Sequence, residues 1–286
     1  MKKIFIPLSG LFLFAIVILN RQCNAVHSNE LPAKHERGIL ADRSLYILDS
    51  KGSSSQELLD LLDATNIQHD GTLESIVKAT QCRQDKGGWL RIPGKERWEV
   101  KEIFPEKRAQ LMTVFDKLGT IKEIEPTHNY YNYALILGAT VPRMRSRLQY
   151  LIELWEKGVR FDSINVLVGQ RPLDPNLESP EILLDKNNTM IPFRKDWQLT
   201  GDLPTTEAEA AKLIFEQSPL PAEWDNLSVM FVDTPMQPTG TGKLRRPTTQ
   251  DSIIYWLKTD PKPGSILAIS NQPYAHYQDT VLRCSI

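Results

Sequence analysis

The second half of the chain alternates nearly continuous apolar runs with helical patterns. The runs are "YALILGA" at 133–139, "SINVLVG" at 163–169, "LSVMFVD" at 227–233 and "SILAIS" at 265–270. Runs of this length and continuity predict strands buried on both faces. Between them, 142–157 (closed by Gly158), 206–217 and 249–258 carry helical spacing. Strand and helix in alternation predict an α/β fold, a Rossmann-like three-layer sandwich with a mainly parallel sheet. Ligands of such sheets bind outside the carboxyl ends of the strands, so a site is expected in the turns after Gly138, Gly169, Asp233 and Ser270.

The first half reads differently. Ser53 and Gln56 have capping-box spacing ahead of Leu58, Leu59, Leu61 and Leu62, which predicts a short helix. "TLESIVKAT" predicts another, and "PEKRAQLMTVFDKLGT" a third, with Pro105 at its start and Gly119 just past its end. "DKGGWLRIPGKERWEV" reads as a loop or hairpin. Residues 56–130 therefore form a mostly helical N-terminal region without repeats, ahead of a Rossmann-like domain at 131–286. Residues 26–55 are polar and read as a tether and loop.

The first 25 residues stand apart from the fold. "MKK" is basic, "IFIPLSGLFLFAIVIL" is apolar, and "NRQCNA" ends in a small residue suited to cleavage after Ala25. The apolar run is short beside the roughly 20 residues that a bilayer-spanning helix needs. A cleaved signal peptide is the first reading and an uncleaved N-terminal anchor the second. Both place the rest of the chain outside the cytoplasm, in the periplasm or secreted, the second with membrane proximity.

Composition changes this picture little. The chain has 286 residues, 34 Lys and Arg against 35 Asp and Glu, and 41% hydrophobic residues. With no basic surplus, nucleic acid is excluded as the expected partner. Once Cys23 is assigned to the signal, Cys82 and Cys284 remain as the one pair that an oxidising compartment could join; two unpaired thiols are the alternative. His27, His35, His69, His128 and His276 are scattered singly, so no zinc site is expected. "NNT" at Asn187 and "NLS" at Asn226 are glycosylation acceptors in a eukaryote only, and the signal has a prokaryotic character.

Several familiar chemistries fail on spacing. "PTGTGKLRR" has Gln237 and Leu244 where a Walker A loop needs glycine and Ser or Thr, which leaves a glycine-containing surface loop with Lys243, Arg245 and Arg246. "GATVPR" after the first strand has one glycine, so a dinucleotide fingerprint is missing there. No G-x-S-x-G marks a nucleophile elbow. His276 near Ser270 is the one suggestive pair, and a lone histidine there is more often packed than catalytic.

Charged residues at the helix starts are more informative. Thr206 and Glu209 have capping-box spacing, and Glu207 stands in the same first turn, where the helix dipole favours an acid. Arg143, Arg145 and Arg147 crowd the start of the helix at 142–157, where the dipole disfavours cations. Their spacing by two sends them to different faces, so at least one should meet a negative group at the sheet mouth. That group is either a protein carboxylate or a bound anion beside the N–H groups after Gly138.

Element order from Tyr133 onward resembles the SanA, YdcF and ElyC group of bacterial envelope-associated proteins. The resemblance rests on "LGA" at Leu137 to Ala139, "RLQYLIELWEKG" from Arg147 to Gly158, "VGQ" at Val168 to Gln170, "TEA" at Thr206 to Ala208 and "PTTQD" at Pro247 to Asp251. The group's closing T-S-x-x-H-x-x-R is reduced here to Ser270 within "ISNQPYAHYQD". The resemblance implies a pocket at the strand ends lined by Gly138, Arg147, Gly169, Glu207, Thr248 and Ser270. It also implies a nucleotide-like or S-adenosylmethionine-like ligand in some members, with Arg147 as the pocket cation, which leaves Arg143 and Arg145 to be read as surface charge. The leading expectation is an exported protein of the bacterial envelope that binds a small anionic or nucleotide-like ligand at the carboxyl ends of the strands. The alternatives are a hydrolase or transferase with Glu207 as general base, and a secreted interaction protein with a vestigial pocket.

Overall fold

The computed structural model describes residues 47–90, 92, 102, 104–187, 191–240 and 242–286. The signal-peptide segment, most of the tether and most of "RIPGKERWEV" lie outside the described residues. Two compact units result: the first comprises the residues up to Ile124 with Gln272–Thr280, the second Glu125–Asn271 with Val281–Ile286. The boundary near 125 lies close to the expected one, while Gln272–Thr280, read from the sequence as part of the α/β domain, groups with the first unit.

In the first unit α1 (Gln56–Ala64), α2 (Leu73–Thr80) and α3 (Arg108–Lys117) enclose a core of Leu58, Leu61, Leu62, Ile76, Trp89, Leu111 and Phe115. Ser55 rather than Ser53 caps α1, its side chain accepting from Leu58 N–H, because the helix begins two residues later than the capping-box spacing suggested. Thr72 caps α2 in the same way. Gly119, at φ 69°, turns the chain out of α3. The His276 ring meets the Gly119 carbonyl at 3.2 Å, a packing role within this unit.

The second unit is built on β1 (Tyr130–Leu137), β2 (Arg160–Gly169), β3 (Ser228–Thr234) and β6 (Ile266–Ile269). They form one sheet in the order β3-β2-β1-β6, every neighbouring pair parallel. The "PTGTGKLRR" loop is a hairpin, β4 (Gln237–Pro238) against β5 (Leu244–Arg245). Alternation along the strands sorts the residues into two faces. Ala134, Ile136, Ile164, Val166 and Val168 join a core with α4 (Val141–Glu156) and α6 (Glu207–Gln217). On the other face Tyr133 meets the Trp256 ring of α7 (Thr249–Leu257) edge-on at 5.5 Å, and Trp256 Nε1 donates to Asn165 Oδ1. Helices on both sides of a parallel sheet make the α/β sandwich of three layers.

The helix ends explain how the strand ends are furnished. α6 and α7 each begin with a complete capping box, Thr206 with Glu209 and Thr248 with Asp251. α4 has Pro142 in its first turn and closes at Gly158, φ 98°. One charge on α4 departs from expectation: Arg145 is 3% exposed, not surface charge. Its Nη2 donates to the carbonyl of Leu183 in α5 (Pro180–Leu184) and to Gln217 Oε1, and its guanidinium lies over the Phe193 ring at 5.0 Å. Burial pushes its pKa down to about 10. Helical position 145 points inward under α5 and α6, and the amphipathic pattern of 142–157 does not reveal it. Among the described residues no helix is long and apolar enough to cross a membrane, and Cys82 and Cys284 are free, exposed thiols.

Candidate functional site at the strand ends

At the end of β1, Gly138 donates its N–H to the Leu167 carbonyl at 2.7 Å. A Cβ on Gly138 would stand 2.5 Å from Glu207 Oε1 and 2.9 Å from Leu167 O. Glycine is required here because the Leu167 carbonyl, a backbone atom, cannot give way, and the Glu207 carboxyl occupies the rest of the space of the missing side chain. Glu207, the first residue of α6, is 8% exposed, and its N–H donates to the Arg171 carbonyl at 2.9 Å. Gly138→Ala is expected to lower the stability of the second unit by about 1–3 kcal/mol and to displace the carboxyl; urea unfolding against wild type measures it.

Arg171, two residues past β2, is the cation of this site. Its Nε lies 3.6 Å from Glu207 Oε2, while its two terminal nitrogens grip Glu178 in a fork at 2.7 and 2.9 Å. Glu178 also accepts from Val141 N–H at 3.0 Å and Asp174 N–H at 2.8 Å. The N-terminus of α4, a natural anion seat, is thus occupied by the protein's own carboxylate.

Arg147 has a third task. From the second turn of α4 it donates through Nη1 to the carbonyls of Leu137 and Gly138, and through Nε to Asn271 Oδ1 at 2.7 Å. The carbonyls at the end of β1 need donors once the strand has ended, and a buried guanidinium supplies them. It thereby fills the crevice between β1 and β6, where the strand order reverses.

These neighbours set the charge of Glu207. Burial raises its pKa to about 7, with the like charge of Glu178 adding to the rise and Arg171 and Arg147 opposing it. For Arg171 burial pulls downward, but the Glu178 and Glu207 carboxylates more than offset it, so its pKa is raised.

Gly138, Arg147 and Glu207, expected to share a pocket, do stand together. The ion pair of Glu207 is with Arg171, however, while Arg147 hydrogen-bonds the carbonyls of Leu137 and Gly138 and the side chain of Asn271. Gly169 is tight against another group: a Cβ there would run into the Pro247 ring and the Thr234 carbonyl. Thr248 is engaged with Asp251 in the α7 capping box, and Arg245 grips the same carboxylate at 2.6 and 3.1 Å. Arg245 chiefly holds Asp251 down to about 2. Ser270 follows β6, on the other side of β1 from Gly169. Arg171 and Glu178 were not foreseen. Arg171 had a signal, since it stands just beyond a strand-ending glycine; Glu178 had none, because its role depends on how the 172–180 segment folds back onto α4.

Among the described residues no group of three or more His, Cys, Asp and Glu could hold a metal ion. Comparison with family models, with curated proteins and with solved structures returns no match.

Proposed function

We propose that the chain is an exported protein whose α/β unit binds a small anionic, nucleotide-like ligand at the carboxyl ends of β1 and β2. The observation that carries this is Glu207, seated in the space left by Gly138, 3.6 Å from Arg171 and ionising near pH 7. With Glu207 protonated, the largely buried Arg171 keeps its fork on Glu178 but faces an uncharged carboxyl at 3.6 Å. An anion can then take the place of the Glu207 charge beside Arg171, and in a site of low dielectric such an interaction is strong. Ionised Glu207 supplies the neutralising charge itself and competes with the ligand.

Binding is therefore expected to follow the proton. Titration calorimetry with nucleotides, sugar nucleotides and S-adenosylmethionine should find a ligand held about tenfold more weakly at pH 8 than at pH 6. Glu207→Gln, neutral at both values, should bind with equal strength at each. Affinity indifferent both to pH and to this substitution would remove Glu207 from the site, and no binding by any of these probes would favour the reading of a vestigial pocket. The export half of the proposal rests on residues 1–25, which lie outside the described residues.

The ionisation of Glu207 favours a second reading, a hydrolase or transferase in which it is the general base, since a base works best with a pKa near the working pH. A rate that rises through pH 7 and is abolished by Glu207→Gln in a folded chain would establish it.

A further inference from the structure

We infer that Asp233 is a second ligand-contacting carboxylate of this site, accepting a hydrogen bond from a hydroxyl of a phosphorylated sugar or similar hydroxylated anion; the inference rests on the anion-binding reading above. Strand register places it. Leu137 pairs with Leu167, so Gly138 stands level with Val168, and Val168 in turn pairs with Asp233. Gly138, Val168 and Asp233 thus form one row across the ends of β1, β2 and β3.

The row faces one way. Ala134 and Ile136 of β1 and Val166 and Val168 of β2 pack into the core beneath α4 and α6. On β3, Phe231 meets the Phe215 ring of α6 at 5.2 Å, and Asp233, two residues on, shares its face. The Glu207 carboxyl fills the space over Gly138 at one end of the row. The Asp233 carboxyl springs from the other end, two strand spacings or roughly 10 Å away. Arg171 follows from the end of β2, the strand between them.

Asp233 differs from every other carboxylate of this region. Glu178 has four donors, Glu209 and Asp251 are engaged in capping boxes, and Glu207 has Arg171. Asp233 Oδ1 is screened from solvent and has no donor. A buried acceptor without a donor is expected where a bound molecule completes the set. A ligand lying across the end of β2, its anionic group toward Arg171 and its hydroxyl toward Asp233, would supply that donor.

The test uses the full chain at pH 6, titrated calorimetrically with inorganic phosphate, ribose 5-phosphate and 2-deoxyribose 5-phosphate. Wild type should bind ribose 5-phosphate at least tenfold more tightly than inorganic phosphate. Asp233→Ala should reduce that ratio to within about twofold while leaving the phosphate affinity itself unchanged. An undiminished ratio in Asp233→Ala overturns the role of Asp233 and spares the anion-binding reading; no binding of any of the three probes by wild type overturns both. A thermal melt supplies the independent arm: Asp233→Leu should melt no lower than wild type, since an oxygen awaiting a ligand does not support the empty fold. A clear fall in that melt would make Asp233 a structural residue and overturn the inference.

Discussion

Glu178→Ala is expected to destabilise the second unit by about 3–5 kcal/mol, the loss typical when one partner of a buried ion pair is removed. The magnitude follows from what the carboxylate does. Its side chain is fully buried, and it satisfies both terminal nitrogens of Arg171 as well as the N–H groups of Val141 and Asp174. Truncation leaves a largely buried guanidinium facing the rest of the site, and two N–H groups lose their acceptor. For a unit of this size about 2–4 °C accompanies each kcal/mol, so the melting midpoint should fall by roughly 10 °C. Glu178→Gln keeps one acceptor oxygen and should lose less. Combining Glu178→Leu with Arg171→Met removes both charges together and should recover much of the loss, because the cost lies in the uncompensated cation. If Glu178→Ala shifts the midpoint no more than an ordinary surface substitution, the network does not hold the α4 start to the loop.

How much of this was legible depends on whether a residue's role is local. The four strands and three helices of the α/β unit follow from apolar runs and helical spacing, because their burial is set by the period of the element itself. The capping box at Thr206 is equally readable, since a cap needs only residues three apart, whereas the one at Thr248 with Asp251 comes from the structure. Gly138 and Glu207 were picked out by motif, and the structure adds why they go together: the carboxyl of one occupies the side-chain space of the other. The charges were less legible. Arg145 looks like surface charge from its neighbours in sequence, and only the packing of α5 and α6 above it makes it buried. The sequence reads Arg147 as the pocket cation, but two of its partners are the backbone carbonyls of Leu137 and Gly138, which leave no mark in a sequence. Glu178 lies 37 residues from the Val141 N–H it caps, and no spacing rule reaches that far.

Stability of the second unit is expected to fall as pH rises from about 4.5 to 7, and Glu207→Gln should abolish that part of the fall. A carboxyl has an ordinary pKa of 4.5, whereas Glu207 in the folded chain ionises at about 7. Between those values the unfolded chain has released the proton and the folded chain still holds it, so each rise in pH favours unfolding. The contribution is complete below pH 4.5, declines across the interval and is gone above 7, amounting to about 3 kcal/mol. Asp251 acts in a separate window with the opposite sign. Its pKa is held down to about 2, so its support is present above pH 4 and is lost only as pH falls toward 2. The two effects can therefore be separated by working above pH 4.5. Denaturant unfolding of wild type and Glu207→Gln at half-unit intervals from pH 4.5 to 7.5 gives the difference directly, with all other titrations common to both chains. The substitution should be close to neutral at pH 4.5 and stabilising by about 3 kcal/mol at pH 7.5, because it spares the fold a buried charge that Arg171 at 3.6 Å only partly offsets. A difference that stays flat over the interval would mean that Glu207 ionises in the fold as it does in water. It would then lack both the proton-coupled competition proposed for the ligand and the poised pKa that a general base requires.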